Sequence, residues 1–146
     1  MVEMNGKALR DKKLTELKEK IGTLNCQLGL AVIQVGQDEA SKVNVEQDKL
    51  VRYIKRLNKD DSIDGILVQM PLPKHLDSSL IQNTINSYKD VDGLTFINAG
   101  RLVQGMPSLV PCTPKGIIDL LEEYKIKIEG SQVVVIGRSV LVGKPI

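Results

Sequence analysis

Hydrophobic and polar positions alternate along the chain with two different periods. In residues 8–21 and 45–57, apolar side chains recur every three or four positions among charged ones, which predicts two amphipathic helices. Residues 28–35 and 63–70 are instead nearly continuous runs of apolar, β-favouring side chains. Such runs are typical of strands that are buried on both faces of a parallel sheet.

The same two periods continue in the second half of the chain. Apolar spacing predicts a short helix over residues 78–87, whereas residues 90–105 show no clear period and are predicted to be mostly loop. Thr113 is a good N-cap and is followed by a proline, so a helix is predicted from there to Tyr124. Residues 132–136 predict a third buried strand that runs into a glycine turn.

The order of these elements predicts the fold class. Strands that alternate with helices indicate an α/β fold, in which a parallel sheet has helices on both faces and right-handed crossovers. The weakest joint between elements lies around residues 125–131. We therefore expect a first domain over residues 1–124 and the opening of a second domain over residues 125–146.

Composition narrows the function classes. A formal charge of +2, with three tyrosines, one phenylalanine and no tryptophan, argues against nucleic-acid binding. No apolar run approaches the length of a membrane span, and the charged N-terminal segment is unlike a signal peptide. Cys26 and Cys112 indicate a reducing, cytosolic setting, and a single histidine gives no sign of a metal site.

An amide stands at the end of the second apolar run. Residues 65–73 deliver Gln69 to the carboxyl end of the predicted strand, where two prolines stop the strand. An unpaired amide is costly inside a sheet, whereas parallel sheets bind ligands in the crevice outside their carboxyl ends. Gln69 is therefore a candidate active-site group.

Two carboxylates, Asp90 and Asp92, flank Val91 just before Gly93. They form either a solvated turn, as most such pairs do, or part of a ligand site. In the second interpretation, a carboxylate accepts two parallel N–H bonds from the amidine-like edge of a heterocycle, which is a strong charge-assisted pairing.

Residues 133–145 predict a strand, a glycine turn and the start of a helix. That arrangement directs backbone N–H groups at an anion, as dinucleotide folds do with pyrophosphate. Ser139 stands where the second glycine of the usual fingerprint is expected, so an ordinary tight β–α turn is an equally good interpretation. Arg138 beside the turn favours a 2′-phosphate, and hence NADP.

Together these segments closely resemble one family, the tetrahydrofolate dehydrogenase/cyclohydrolases. The similar segments are residues 65–73, 90–93, 97–102, 111–114 and 137–145, with residues 32–41 resembling the family's first strand and its Val-Gly-x-x-x-Ala-Ser loop. The resemblance implies a folate-binding catalytic domain joined to the start of a Rossmann-like NAD(P)-binding domain. It also implies a cytoplasmic homodimer of one-carbon metabolism. Such an enzyme oxidises 5,10-methylenetetrahydrofolate with NADP and hydrolyses the 5,10-methenyl product to 10-formyltetrahydrofolate.

The resemblance further implies roles for single residues. Gln69 matches the glutamine that hydrogen-bonds and tunes the catalytic lysine, and Asp92 matches the aspartate that holds the pterin ring. The residues that match the lining of the folate site are Val68, Gln69 and Met70. The residues that match the cofactor turn are Gly137, Arg138 and Ser139.

One departure from the family pattern concerns the catalytic helix. The family continues its Ala-Ser with Tyr-Val-x-x-Lys, but here Asn44 stands at the tyrosine position and Asp48 at the lysine position. Lys49 is one place off, which is about 100° around a helix. The stretch from there to the second strand is also too short for the additional helix and strand of the family. We therefore expect that a helix–strand unit carrying the tyrosine and lysine is missing after Val43.

The second departure is at the end of the sequence. The chain stops within the first turn of the predicted dinucleotide-binding helix, so we expect these residues to bind NADP poorly by themselves. Without the catalytic pair, the 146 residues alone are expected to be inactive. Two alternatives stay open: a catalytically dead folate-binding or dimerisation relative, and an unrelated NAD(P) oxidoreductase that shares only the glycine turn.

Overall fold

Helices and strands alternate along residues 4–36 and 45–146, which the computed structural model describes. The elements are α1 (Gly6–Gly22), β1 (Leu30–Ile33), α2 (Gln47–Asn58), β2 (Gly65–Val68), α3 (Ser78–Thr84), α4 (Phe96–Val103) and α5 (Cys112–Glu123). They belong to two compact units, one made of residues 28–111 and the other of residues 1–27 and 112–144. The sequence-based domain boundary at residue 124 stays a prediction.

The two strands pair in parallel, with a register that runs from Leu30 opposite Gly65 to Ile33 opposite Val68. A parallel bridge from Ile66 to Asp90 adds the segment after α3 beside β2. Because parallel strands need a crossover connection, the helix before β2 and the helix before Asp90 fit this arrangement. The predicted α/β class with a parallel sheet is confirmed.

One hydrophobic core lies within the unit of residues 28–111. It is built from both strands, α2, α3 and the segment between β2 and α3, and its buried members are Ile33, Leu50, Ile54, Leu57, Ile66, Val68, Leu72, Leu76, Ile81 and Ile85. The three buried residues of α2 recur at helical spacing, so the apolar stripe predicted for that helix faces the core.

The strands differ in burial. Every residue of β2 is at least half-buried, as its sequence predicts. In β1, Ile33 is 9% exposed, whereas Leu30 and Val32 are 59% and 58% exposed. The prediction that the first strand is buried on both faces is therefore wrong. The described residues cover the face of Ile33 far more completely than the opposite face.

The prediction that residues 90–105 are mostly loop is wrong for their second half, which forms α4. Thr95 is the N-cap of this helix, and its side chain accepts a hydrogen bond from the backbone N–H of Asn98. Asn98 is also the buried residue of α4. Because a polar residue faces inward, no apolar stripe marks this helix in the sequence.

Two further predictions need correction in the unit that contains α5. The helix begins at Cys112, one residue before the predicted N-cap Thr113. Residues 132–136 do not form the predicted buried strand, since Val133 is 65% and Ile136 is 98% exposed. A strand is stabilised by its ladder partners, and among the described residues no strand lies beside this segment.

Polar contacts join α1 to α5 in the same unit. The Lys12 ammonium lies 2.8 Å from each carboxylate oxygen of Glu123, and this carboxylate raises the pKa of Lys12. The backbone N–H of Asn5, the N-cap of α1, donates to the Tyr124 hydroxyl at 2.8 Å. The predicted first helix is thus confirmed and is fixed at its amino end.

A close backbone approach lies between Asp92 and α4. Gly93 has a φ of +65°, and a Cβ placed there would overlap the carbonyl group of Leu109. Only glycine adopts this conformation without strain and leaves room for the carbonyl.

We predict opposite effects for two glycine-to-alanine changes. Gly93→Ala should lower the free energy of unfolding by about 1–3 kcal/mol, because it adds backbone strain and a steric overlap. The matched control is Gly100→Ala in α4, where a Cβ meets no atom within 4 Å. Alanine there should raise stability by up to about 1 kcal/mol, because it is the better helix former. Urea denaturation of both variants measures the difference, and equal stability of the two would contradict the close approach at Gly93.

Candidate functional site at the carboxyl edge of the sheet

Three chain segments leave the sheet at the same edge. Because β1, β2 and the bridged segment at Asp90 run in parallel, their carboxyl ends lie side by side. Gly36 follows β1, Gln69 follows β2, and Asp92 follows the bridge. The carboxyl edge of a parallel sheet is where α/β proteins bind ligands.

Gln69 is the first residue beyond β2. Its backbone N–H still donates to the Ile33 carbonyl at 2.9 Å, so the residue is fixed by the ladder. Its side chain is exposed, and Nε2 donates to the Met70 carbonyl at 3.0 Å. The Met70–Pro71 peptide bond that follows is cis. The backbone of Gln69 is thus held by its hydrogen bond to β1, and its side chain lies at the carboxyl edge.

The neighbours of Gln69 differ in accessibility. Val68 is 1% exposed and belongs to the hydrophobic core, whereas Met70 is half-buried. The predicted lining of a ligand site by this segment thus depends on Gln69 and Met70, with Val68 supporting them from the core.

Asp90 is fully buried, so the interpretation of this residue as part of a solvated turn is wrong. Its carboxylate accepts hydrogen bonds from the backbone N–H groups of Leu94 (3.2 Å) and Thr95 (2.8 Å). It also accepts from Asn98 Nδ2 at 2.9 Å, and the same amide nitrogen donates to the Ser87 carbonyl at 2.8 Å. Asp90 is therefore a structural group that fixes the turn and the start of α4.

Asp92 lies between two residues, Asp90 and Gly93, that hydrogen bonds hold in place. It is half-buried and lies two residues beyond the parallel bridge. On one side is the buried Asp90, and on the other is Gly93, whose N–H donates to the Asp90 carbonyl at 3.1 Å. The register of the bridge aligns Asp92 with the end of β2. Gln69 and Asp92 thus leave the sheet at one edge, and a shared ligand stays a prediction.

Sequence reasoning did not assign a role to Asn98 or Thr95. Both are buried, at 1% and 2% exposure, and both hold the Asp90 turn. A threonine followed by two apolar residues was the available signal, since threonine is a preferred N-cap. Because no helix was predicted after Thr95, this threonine could not be recognised as an N-cap.

The predicted cofactor turn has a distinct backbone geometry. Gly137 has a φ of +142°, and its carbonyl group lies so close to Gly143 that a Cβ there would overlap it. Ser139 then anchors a hydrogen-bonded turn: its Oγ accepts from Val142 N–H at 3.1 Å, and its carbonyl accepts from Lys144 N–H at 3.0 Å. Residues 140–145 are turn and not helix, so the predicted start of a helix is not confirmed. The Arg138 side chain is exposed.

Other candidate chemistry lies outside this edge. His75 is exposed, with Nε2 3.3 Å from the Val45 carbonyl oxygen, and both cysteines are exposed. In the turn after α2, hydrogen bonds from the Ser62 hydroxyl and amide lower the pKa of Asp60. Within residues 4–36 and 45–146, no cluster of three or more potential metal ligands occurs. None of the helices in those ranges has the length and apolar character of a membrane span.

The fold and the site define an α/β protein whose parallel sheet presents an amide and a carboxylate at its carboxyl edge. Residues 42–92 match the catalytic domain of the tetrahydrofolate dehydrogenase/cyclohydrolases, and residues 111–146 match the NAD(P)-binding domain of the same family. The chain belongs to the tetrahydrofolate dehydrogenase/cyclohydrolase family. The alternative of an unrelated NAD(P) oxidoreductase is therefore wrong.

Relatives and solved structures agree with this assignment. The chain is 44% identical to the bifunctional protein FolD of Vesicomyosocius okutanii, over 97% of the chain and 60% of the relative. The structure of the bifunctional FolD enzyme from Campylobacter jejuni superposes with a TM-score of 0.90 at 40% identity, over 97% of this chain and 60% of that one. The Trypanosoma brucei enzyme, solved with NADP and an inhibitor, has a TM-score of 0.89 at 29% identity, over 99% and 59%.

The comparison with the Vesicomyosocius relative also shows how the chain differs from it in length. The chain spans about 60% of the length of the Vesicomyosocius relative. The alignment to it runs over 165 positions, although this chain has 146 residues, so at least 19 aligned positions have no counterpart here.

We predict that the buried Asp90 carboxylate contributes to stability, whereas an exposed carboxylate does not. Asp90→Asn should lower the free energy of unfolding by about 2–3 kcal/mol. The new amide nitrogen would face N–H groups that now donate to the carboxylate, and two donors cannot form a hydrogen bond. The matched control Asp61→Asn changes an exposed carboxylate and should alter stability by less than about 0.5 kcal/mol. Urea denaturation gives both values. A neutral Asp90→Asn would show that the three hydrogen bonds do not hold the turn.

Proposed function

We propose that this chain is part of a bifunctional one-carbon enzyme. The complete enzyme oxidises 5,10-methylenetetrahydrofolate with NADP and hydrolyses the resulting 5,10-methenyltetrahydrofolate to 10-formyltetrahydrofolate. The observation that carries the proposal is the placement of Gln69 and Asp92 at one carboxyl edge in a chain of this family. Several relatives carry the name bifunctional protein FolD, which supports both activities.

The folate site is proposed to use charge complementarity. Asp92 accepts two N–H bonds from the amidine-like edge of the pterin, which fixes the ring in the plane of the carboxylate. Asp90 does not touch the substrate in this proposal. It holds the turn that carries Asp92, so it is a positioning residue.

Gln69 is proposed to act on the catalytic lysine. Its amide carbonyl accepts a hydrogen bond from the lysine ammonium, and its fixed backbone sets the direction of that bond. A lysine held in this way is poised to exchange a proton at its amine during both reactions. The lysine itself is the group that this chain lacks at the expected position.

The placement of α2 supports the proposal that the catalytic pair is missing from this chain. Asp48 and Lys49 lie in the first turn of α2, where both are exposed. The buried side of α2 is formed by Leu50, Ile54 and Leu57, which lie toward the core. Asn44, at the tyrosine position, lies outside the described residues. The unmatched positions in the alignment support the proposal that a helix–strand unit is missing.

The cofactor turn fits the diphosphate of NADP. Gly137 has no side chain, and a Cβ placed there would meet no atom within 4 Å, so an anion can approach the backbone N–H groups of this turn closely. The exposed Arg138 suits a 2′-phosphate, and a solved relative carries NADP. Bound NADP would be the hydride acceptor. The residues of this chain orient the cofactor for that step.

A catalytically dead relative is the second candidate function. The specific observation in its favour is Asp48 at the position where the family has lysine, with opposite charge. Such a protein would bind folate without turning it over. The homodimer and the cytoplasmic location implied by the resemblance stay predictions.

We predict that Asp92→Asn weakens tetrahydrofolate binding by at least about tenfold, because the charge-assisted pair is reduced to a neutral contact. Isothermal titration of tetrahydrofolate into this protein and its variants measures the dissociation constants. Asp61→Asn, which changes an exposed carboxylate in the turn after α2, should bind like the unaltered chain. Equal binding by Asp92→Asn would remove this residue from the site.

We also predict that the 146-residue chain neither forms NADPH from 5,10-methylenetetrahydrofolate nor hydrolyses 5,10-methenyltetrahydrofolate. Absorbance of NADPH and of the methenyl compound follows the two reactions. Turnover by this chain would contradict the need for the missing tyrosine and lysine.

A chimera separates the enzyme from the dead relative. It carries the extra segment of the Vesicomyosocius protein inserted after Val43. Recovered hydrolysis, which needs no cofactor, would support the enzyme. Folate binding without hydrolysis would favour the dead relative.

A further inference from the structure

The segment that carries Asp92 has little support from the sheet itself. Among residues 4–36 and 45–146, its pairing with β2 consists of one parallel bridge, between Ile66 and Asp90. The Ile66 N–H donates to the Lys89 carbonyl at 2.7 Å. A single bridge leaves the register of a paired segment open to slippage. Contacts outside the ladder must therefore fix where Asp92 leaves the sheet.

Lys89 makes one such contact at the amino end of the segment. Its half-buried side chain extends to the end of α2, where the ammonium donates to the carbonyls of Asp60 at 2.8 Å and Leu57 at 3.3 Å. The last carbonyls of a helix lack partners within the helix and carry partial negative charge, so an ammonium stabilises them. Charge-assisted hydrogen bonds are also stronger than neutral ones. Lys89 therefore ties the segment to the carboxyl end of α2.

Asn58 makes a second contact from the same end of α2. Its Nδ2 donates to the Thr84 carbonyl at 2.7 Å, and its Oδ1 accepts from the Asn86 N–H at 2.9 Å. Thr84 is the last residue of α3, so its carbonyl has no partner further along that helix. Because both polar groups of one amide are engaged, Asn58 fixes the chain on both sides of the residue that ends α3.

These contacts lie close enough to Asp92 to determine its position. Lys89 is three residues before Asp92, which is about 10 Å along an extended chain. A slip of one residue would move Asp92 by about 3.3 Å and turn its side chain to the opposite face. A carboxylate displaced in this way could not form two parallel N–H bonds with a ring held at the carboxyl edge.

We propose that Lys89 and Asn58 are positioning residues of the folate site. They set the register of residues 84–92 from the end of α2 and thereby place Asp92 at the carboxyl edge. Neither side chain touches the substrate, since both act through the backbone of this segment. The inference rests on the folate site of the proposed function, in which Asp92 binds the pterin.

The first measurement needs no ligand. Lys89→Met removes the ammonium and keeps an unbranched apolar side chain. Amide hydrogen exchange is followed by NMR in the isotope-labelled chain. The Ile66 amide, which donates to the Lys89 carbonyl, should exchange at least about tenfold faster in this variant. The Gln69 amide, which donates to Ile33 in β1, should exchange as before and thus exclude a general loss of stability.

The matched control changes a lysine beside the same helix end. Lys59 is the exposed C-cap residue of α2, and Lys59→Met should leave the exchange of the Ile66 amide unchanged. Equal exchange of this amide in the Lys89 and Lys59 variants would overturn the proposal.

Tetrahydrofolate affinity then tests the consequence for the site. Isothermal titration should give a dissociation constant at least about tenfold higher for Lys89→Met and for Asn58→Ala than for the unaltered chain, because Asp92 is displaced. Lys89→Arg keeps a charged donor and should bind more tightly than Lys89→Met. Lys59→Met should bind like the unaltered chain. Thermal melting of each variant checks that it folds.

A double mutant separates positioning from other structural effects. If Lys89 acts through Asp92, Lys89→Met should change the affinity by less than about twofold once Asp92→Asn is present. Two independent effects would instead multiply, and that result would overturn the positioning role.

The outcomes also distinguish this inference from the proposed function. Normal binding by Lys89→Met and Asn58→Ala, in a chain whose binding is weakened by Asp92→Asn, would overturn the inference and leave the folate site intact. Unchanged binding by Asp92→Asn would remove the folate site, and the positioning role with it.

Discussion

The buried carboxylate of Asp90 is the interaction on which the candidate site depends. A charge with no exposure to water is tolerated only when hydrogen bonds compensate for its lost hydration. Here two backbone N–H groups and the amide of Asn98 provide that compensation. All three donors belong to the turn or to the start of α4, so one carboxylate fixes both. The position of Asp92, two residues further on, follows from this anchor.

Parallel pairing then determines which side chains leave the sheet at the same end. In a parallel sheet the carboxyl ends lie at one edge, and Gln69 and Asp92 each follow a paired segment there. The sheet is also asymmetric. β2 is covered on both faces, whereas β1 leaves Leu30 and Val32 exposed. The site is thus supported by buried residues on the side of Asp92, whereas two apolar residues of β1 are exposed.

Periodicity in the sequence was sufficient for the elements that bury apolar side chains. The helices with regular apolar spacing, the strand β2 and the parallel α/β class all follow from it, since α2 and β2 meet in one core. The amide at Gln69 was predictable because a polar residue ended an apolar run.

Other features depend on contacts that no local pattern contains. α4 faces inward with Asn98, so its period is hidden, and the burial of Asp90 depends on that same helix. Residues 132–136 have every local property of a strand, yet pairing is a long-range property and the described residues offer no partner. The exposed face of β1 is likewise decided by neighbours rather than by its own sequence.

The most direct measurement is the map of amide chemical-shift changes in the isotope-labelled chain when tetrahydrofolate is added. If the carboxyl edge is the folate site, the largest changes fall on the amides of Gln69, Met70 and Asp92, with those of α1 and α5 unchanged. Changes spread over the surface, or confined to residues remote from Gln69 and Asp92, would contradict a folate site at this edge.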